Sequence, residues 1–133
     1  MGFYCSQVNI KMIIEECDES LFISRFEDYK RVETTENPNG NFSYKGLRNL
    51  FKYLDEISDE ENPLKFDVIS LCCEFCEYKN GTEFLNDYPT ELKKDDYNEI
   101  EEFWNAVEEE INDKTTLIKF EADLNEGFII QNF

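Results

Sequence analysis

The sequence predicts an α+β fold in which a small antiparallel sheet is covered by about three helices. Three observations lead to this class. Apolar residues recur at helical spacing in three segments, a β-branched and aromatic run lies between them, and two short apolar runs flank a turn near residue 126. A length of 133 residues suits one domain with a real core, so we expect residues 1–133 to form a single acidic domain.

Helices are predicted from apolar spacing and from the residues that cap or end them. The first covers Asp18–Arg31, with Asp18 as its cap. The second begins after Ser43 and ends before Pro63, and its apolar stripe is Leu47, Leu50, Phe51, Leu54 and Ile57. The third covers Lys93–Asp113, with a buried side marked by Tyr97, Ile100, Trp104, Val107 and Ile111.

Strands are predicted where β-branched, aromatic and thiol side chains are concentrated. Residues 7–14 alternate apolar and polar side chains, and residues 66–78 form the expected central strand. Residues 116–133 read as a C-terminal hairpin, and residues 34–41 as a loop. The segment from Asn80 to Pro89 is expected to hold a turn and a short helix.

Charge is the outlying property of the composition. The 13 Lys and Arg oppose 31 Asp and Glu, which gives a net charge of −18. Such a charge repels nucleic acid and favours basic partner surfaces, including the nucleic-acid grooves of other proteins. Charges interrupt every apolar run, and residues 1–20 lack a signal-peptide pattern, so we expect no membrane association and a cytoplasmic location.

The three thiols of LCCEFC (Leu71–Cys76) raise the question of a metal or redox site. On a strand, Cys73 and Cys76 would point to opposite faces, which prevents chelation or an unstrained disulfide. A redox CxxC also normally begins a helix, and the neighbours here are acidic. These thiols are therefore expected to be packing residues, with a metal or redox role as the alternative.

Catalytic machinery is not indicated. The chain has no His, no glycine-rich phosphate loop and no calcium-loop pattern. Carboxylate pairs are so frequent that none is informative as an acid/base pair. We therefore expect a non-enzymatic protein with no cofactor, no catalytic residue and no bound metal.

Two acidic segments are the candidate partner-binding residues. From Glu91 to Asp113 there are ten acidic residues and only two lysines, and on one helix five of the acids would share a face: Asp95, Glu99, Glu102, Glu109 and Asp113. Their axial spacing brackets that of nucleic-acid phosphates within a factor of about two. The second segment follows the second helix and contains Asp55, Glu56, Asp59, Glu60 and Glu61. A solvated face that merely keeps the protein soluble is the competing interpretation.

Two motifs carry a family resemblance. FSYKGLRNLFKYL (Phe42–Leu54) and DVISLCCE (Asp67–Glu74) resemble the F-S-Y-x-G-L-x-x-L-F-x-Y-L helix and the D-V-I-x-x-C-C-E strand of small acidic proteins from bacteriophages and integrated mobile elements. The resemblance covers residues 21–88 and the C-terminal hairpin. By analogy it implies an inhibitor of bacterial defence, either an anti-CRISPR or an anti-restriction protein, some of which are DNA mimics. It assigns no catalytic residue.

The sequence thus leads to one main hypothesis and two alternatives. The main hypothesis is a phage inhibitor that binds a basic groove of a bacterial defence nuclease or RNA-guided effector in the host cytoplasm, through the acidic residues named above. The first alternative is a phage regulatory protein that contacts another host protein. The second is a thiol or metal-binding protein.

Overall fold

The structure is a computed structural model that describes residues 18–58 and 67–133. The α+β class is confirmed by five α-helices and a three-stranded antiparallel sheet within these ranges. The chain divides between Glu74 and Phe75 into two compact units, and its treatment as a single domain stays a prediction. The strand expected at residues 7–14 lies outside the described residues.

Helices α1 (Glu19–Asp28) and α2 (Tyr44–Ile57) begin at the predicted capping residues. The Asp18 carboxylate accepts a 2.9 Å hydrogen bond from the Leu21 N–H, and the Ser43 hydroxyl accepts one of 3.0 Å from the Gly46 N–H. Each bond satisfies an N–H that the helix itself leaves without a partner. The end of α2 was predicted too late, because the helix stops at Ile57, well before Pro63.

The core of the first unit lies between α1 and α2. Phe22 and Phe26 of α1 are buried, and the Phe26 ring meets Phe42 edge-on at a centroid distance of 5.7 Å. Of the predicted apolar stripe on α2, Leu47, Leu50 and Leu54 are buried, whereas Ile57 is 44% exposed. The helical period was therefore correctly predicted, and only its last position fails.

Helix α3 (Val68–Glu74) replaces most of the predicted strand at residues 66–78. The Asp67 carboxylate accepts a 3.0 Å hydrogen bond from the Ser70 N–H, as a helix cap does. Val68 and Leu71 are buried, three positions apart. Only Phe75–Tyr78 is extended, as strand β1.

Strands β2 (Leu117–Lys119) and β3 (Phe128–Gln131) form the predicted C-terminal hairpin. Its turn contains Gly127 at φ 111°, a conformation that side chains disfavour. The sheet order is β1-β3-β2, and both pairs are antiparallel. The central strand is therefore β3, and the prediction that residues 66–78 supply it is wrong.

Helices α4 (Gly81–Asp87) and α5 (Ile100–Lys114) complete the second unit. A short helix before Pro89 was expected, and α4 confirms it. Helix α5 begins seven residues after the predicted start at Lys93, because Tyr97 and Glu99 have extended backbone after a 3₁₀ turn at Lys94–Asp96.

The core of the second unit contains aromatic and aliphatic side chains from β1, α4, α5, β3 and the 3₁₀ turn Leu124–Glu126: Tyr78, Phe84, Phe103, Val107, Ile111, Leu124, Phe128 and Ile130. The predicted buried side of α5 is correct at Val107 and Ile111. It is wrong at Ile100, which is 51% exposed, and it missed Phe103. None of the helices in the described ranges is both long and apolar enough to cross a lipid bilayer.

Candidate functional site

The predicted acidic stripe is not a single helical row. Asp95 lies in the 3₁₀ turn, and Glu99 is the residue that caps the start of α5. Only Glu102, Glu109 and Asp113 belong to the helix itself. The prediction that all five acidic residues lie on one helical face is therefore wrong for Asp95 and Glu99, because α5 begins only at Ile100.

The first acids of α5 stabilise the helix start. The Glu102 side chain reaches back to the start of the helix, where its carboxylate accepts a 3.1 Å hydrogen bond from the Glu99 N–H, as in a capping box. Glu101 and Glu102 lie in the first turn, where negative charge is favoured by the helix dipole. Their presence thus has a local structural explanation.

Glu102, Glu109 and Asp113 nevertheless share the outward face of α5. At about 100° per residue, the positions i, i+7 and i+11 fall within about 40° of one another. They lie about 140° around the axis from the stripe of buried residues Phe103, Val107 and Ile111. All three acidic side chains are exposed, and successive ones are about 10 and 6 Å apart along the axis.

Glu109 and Asp113 lack the local support that Glu102 has. Asp113 lies in the last turn of α5, where a carboxylate opposes the helix dipole at a cost of about 0.3–1 kcal/mol, and Glu109 lies before that turn. They are also one helical turn apart, so their like charges repel. Neither has a structural role among the contacts of the described chain.

Two cations of the second unit, Lys119 and Lys94, are engaged elsewhere. Lys119 pairs with Glu108 at 2.9 Å. Lys94 lies over the rings of Phe103 and Trp104, at 5.8 and 5.5 Å from their centroids. Within residues 18–58 and 67–133, no Lys or Arg side chain lies within ion-pair distance of Glu109 or Asp113. Glu110, between them in sequence, accepts a 2.9 Å hydrogen bond from the Thr90 hydroxyl.

The whole second unit is strongly acidic. From Phe75 to Phe133 it has 16 acidic residues and five lysines, a net charge of −11. The first 74 residues carry the remaining −7. The unit that contains α5 is therefore the more acidic one, although it is the shorter.

The second predicted acidic segment is only partly described. Asp55 and Glu56 are exposed near the end of α2, in the first unit. Asp59, Glu60 and Glu61 lie outside the described residues. Their part in a binding surface stays a prediction.

The thiols lie in a helix and a strand and not on one strand. Cys72 and Cys73 are in the last turns of α3 and Cys76 is in β1, so the CxxC ends a helix where a redox motif would begin one. Burial raises the pKa of the Cys72 and Cys76 thiols, against the influence of Arg31 on Cys72 and of the Tyr78 hydrogen bond on Cys76. In the described part of the chain, no three potential ligands are grouped to hold a metal ion.

An aromatic stack on the second unit was not predicted. The Tyr88 ring stacks on Phe84 with centroids 5.0 Å apart and on Phe133 with centroids 4.8 Å apart, at an interplanar angle of 19° in both pairs. Phe84 is buried, Tyr88 is half-buried and Phe133 is 53% exposed. No signal in the sequence places Phe133 beside Tyr88.

Comparison with known proteins adds no family. No family model, no curated protein and no solved structure matches this chain.

Proposed function

We propose that this protein is a non-enzymatic phage inhibitor of bacterial defence, which acts in the host cytoplasm. Its partner is a bacterial defence nuclease or RNA-guided effector with a basic nucleic-acid groove, and the protein occupies that groove as a nucleic-acid mimic. The phage origin and the defence target come from the resemblance of the two sequence motifs. The basic partner surface comes from the charge.

One observation carries the proposal: Glu109 and Asp113 are exposed on the outward face of α5, and no Lys or Arg side chain of the described residues is within ion-pair distance of them, although Lys114 follows Asp113. A solvated face explains charge in general, but it does not explain two like charges one helical turn apart, of which Asp113 is also opposed by the helix dipole. Residues that lower stability without a structural role are typical of binding sites. Glu102 extends the same face.

The net charge of −11 on the second unit would act at longer range. Complementary charge accelerates the encounter of two proteins and disfavours wrong partners, and both effects weaken as salt screens them. A nucleic-acid groove carries the opposite charge along a line, and the outward face of α5 also presents its charges along a line. The acidic face of α5 and a basic groove would therefore match in the sign of their charge and in its linear arrangement.

The experiment begins with capture of partners from a bacterial lysate at low salt, followed by inhibition assays on the captured nuclease. The variant Glu109→Lys/Asp113→Lys should weaken inhibition about 10-fold or more, because like charges facing each other across an interface cost several kcal/mol. Raising the NaCl concentration should weaken inhibition by the wild-type protein. DNA or RNA bound to the partner should compete with the inhibitor.

The matched control is Glu36→Lys/Glu126→Lys, which changes the net charge equally at two exposed positions outside α5. It should retain most of the inhibition, since only distant steering is reduced. Full inhibition by the α5 variant, with no dependence on salt, would contradict the proposal. Binding to the partner without competition by nucleic acid would instead support the alternative of a regulatory contact.

A further inference from the structure

The stack of Phe84, Tyr88 and Phe133 leads from the core of the second unit to its surface. The inner ring is buried, and the outer ring, Phe133, is about half exposed. One face of Phe133 covers Tyr88, so its exposure comes from the opposite face and the edge. Two supporting rings hold the orientation of that face at little further cost in entropy.

The stack lies close to the C-terminal end of α5. The Thr115 hydroxyl donates a 2.5 Å hydrogen bond to the Gln131 carbonyl, and the Gln131 N–H donates one of 3.1 Å to the Thr116 carbonyl. These bonds hold the strand that leads to Phe133 against the residues that directly follow α5. Two residues after Tyr88, Thr90 is bonded to Glu110 of α5. The stack is thus attached to the residues that directly follow α5 and, through Thr90, to Glu110.

Two planar groups commonly stack on an exposed aromatic face: a nucleic-acid base and an arginine guanidinium. Charge decides between them. A polyanion is repelled by a unit with a net charge of −11, whereas a guanidinium is attracted to it. Arginine also combines stacking with carboxylate pairing better than lysine does, because its guanidinium is planar.

We propose that the exposed face of Phe133 binds an arginine side chain of the partner, which the net charge of −11 on the second unit attracts. This inference rests on the proposed function, since it assigns the anchor of the same basic partner. It adds specificity for arginine over lysine, which charge alone does not provide.

The test uses two fluorescein-labelled peptides of equal length, one with six arginines and one with six lysines, and measures their affinities by anisotropy. Phe133→Leu should lower the ratio of arginine to lysine affinity about fivefold, because arginine also loses the planar stacking on the ring that lysine does not make. Phe133→Tyr keeps an aromatic face and should keep the ratio. Circular dichroism checks that both variants are folded.

The charge variant Glu109→Lys/Asp113→Lys should weaken both peptides and leave their ratio unchanged. An unchanged ratio in Phe133→Leu would overturn the arginine anchor, even if the charge variant lost inhibition of the captured nuclease. Conversely, a lowered ratio in Phe133→Leu together with salt-independent inhibition would support the anchor and contradict the proposed function.

Discussion

The phenolic hydroxyl of Tyr78 donates a 2.9 Å hydrogen bond to the carboxylate of Asp87, and so joins β1 to the last residue of α4. Tyr78 is buried, whereas Asp87 is exposed. Burial and this hydrogen bond raise the pKa of Tyr78 far above its ordinary value, in that order of importance. The neutral phenol is therefore the form that the folded protein favours.

A raised pKa of a folded tyrosine makes stability depend on alkaline pH. The contribution is complete below about pH 10, where the unfolded phenol is also neutral, and it is lost as pH rises further because only the unfolded state ionises. Tyr78→Phe should cost about 1 kcal/mol at pH 7 and should remove this alkaline loss. Urea unfolding at several pH values between neutral and strongly alkaline measures both. An equal alkaline decline in wild type and Tyr78→Phe would contradict the assignment.

Gly81 is required where the Trp104 ring packs on the start of α4. Gly81 is buried, and a Cβ at this position would lie 2.3 Å from Cζ3 of Trp104, whose ring packs against the core of the second unit. Gly81→Ala should therefore destabilise the protein by about 1–3 kcal/mol, as overpacking does. The exposed neighbour Thr82 provides the control, because Thr82→Ala meets no such contact.

Trp104→Leu in the Gly81→Ala background should recover part of this loss. Unfolding must be followed by circular dichroism, since Trp104 is the only tryptophan of the chain. Additive effects of the two substitutions would show that the ring is not what excludes a side chain at Gly81.

Acidic residues at the two ends of α5 should affect stability with opposite signs. Glu109→Gln/Asp113→Asn should stabilise the protein by about 0.5–1 kcal/mol at low salt, because it relieves repulsion and the unfavourable dipole interaction. Glu102→Ala should destabilise it by a similar amount, since it removes the bond to the Glu99 N–H. Urea unfolding at 10 and 500 mM NaCl tests this, and the gain should shrink at high salt. A loss of stability in the first variant would reveal a structural role for these acids.

The three described thiols should differ in their reaction with iodoacetamide. Cys73 is exposed, while Cys72 and Cys76 are half-buried and burial raises the pKa of both. The thiolate is the reacting form, so Cys73 should be alkylated about 10-fold faster than the other two at pH 7.5. Peptide mass spectrometry follows each site. Fastest alkylation at Cys76 would instead indicate an activated thiol and revive a redox role for the CxxC.

Local signals were sufficient for much of the fold. Asp18 and Ser43 predicted the starts of α1 and α2 because a capping side chain acts on the next three residues only. The C-terminal hairpin followed from two apolar runs around Gly127. In each case the interaction that determines the structure joins residues that are close together in the sequence.

Predictions failed where two local patterns competed. Val68, Leu71 and Phe75 fit a helical period and Asp67 can cap a helix, but the β-branched and thiol content of the same segment favours a strand. The start of α5 was placed too early because acidic residues continue without interruption through the 3₁₀ turn. The predicted acidic stripe contains the same error: of its five residues, only Glu102, Glu109 and Asp113 lie together on one face of α5. The stack of Tyr88 and Phe133 depends on residues 45 positions apart, which no local pattern reveals.

The order of the sheet has a consequence for biosynthesis. Strand β3 pairs with both β1 and β2, yet it is the last of the three to leave the ribosome. Until residue 131 has emerged, β1 and β2 lack the strand that both pair with in the described sheet, so this sheet can assemble only after translation has passed that point. On a ribosome stalled before β3, the segments that form β1 and β2 would therefore be unpaired with β3 and accessible to chaperones.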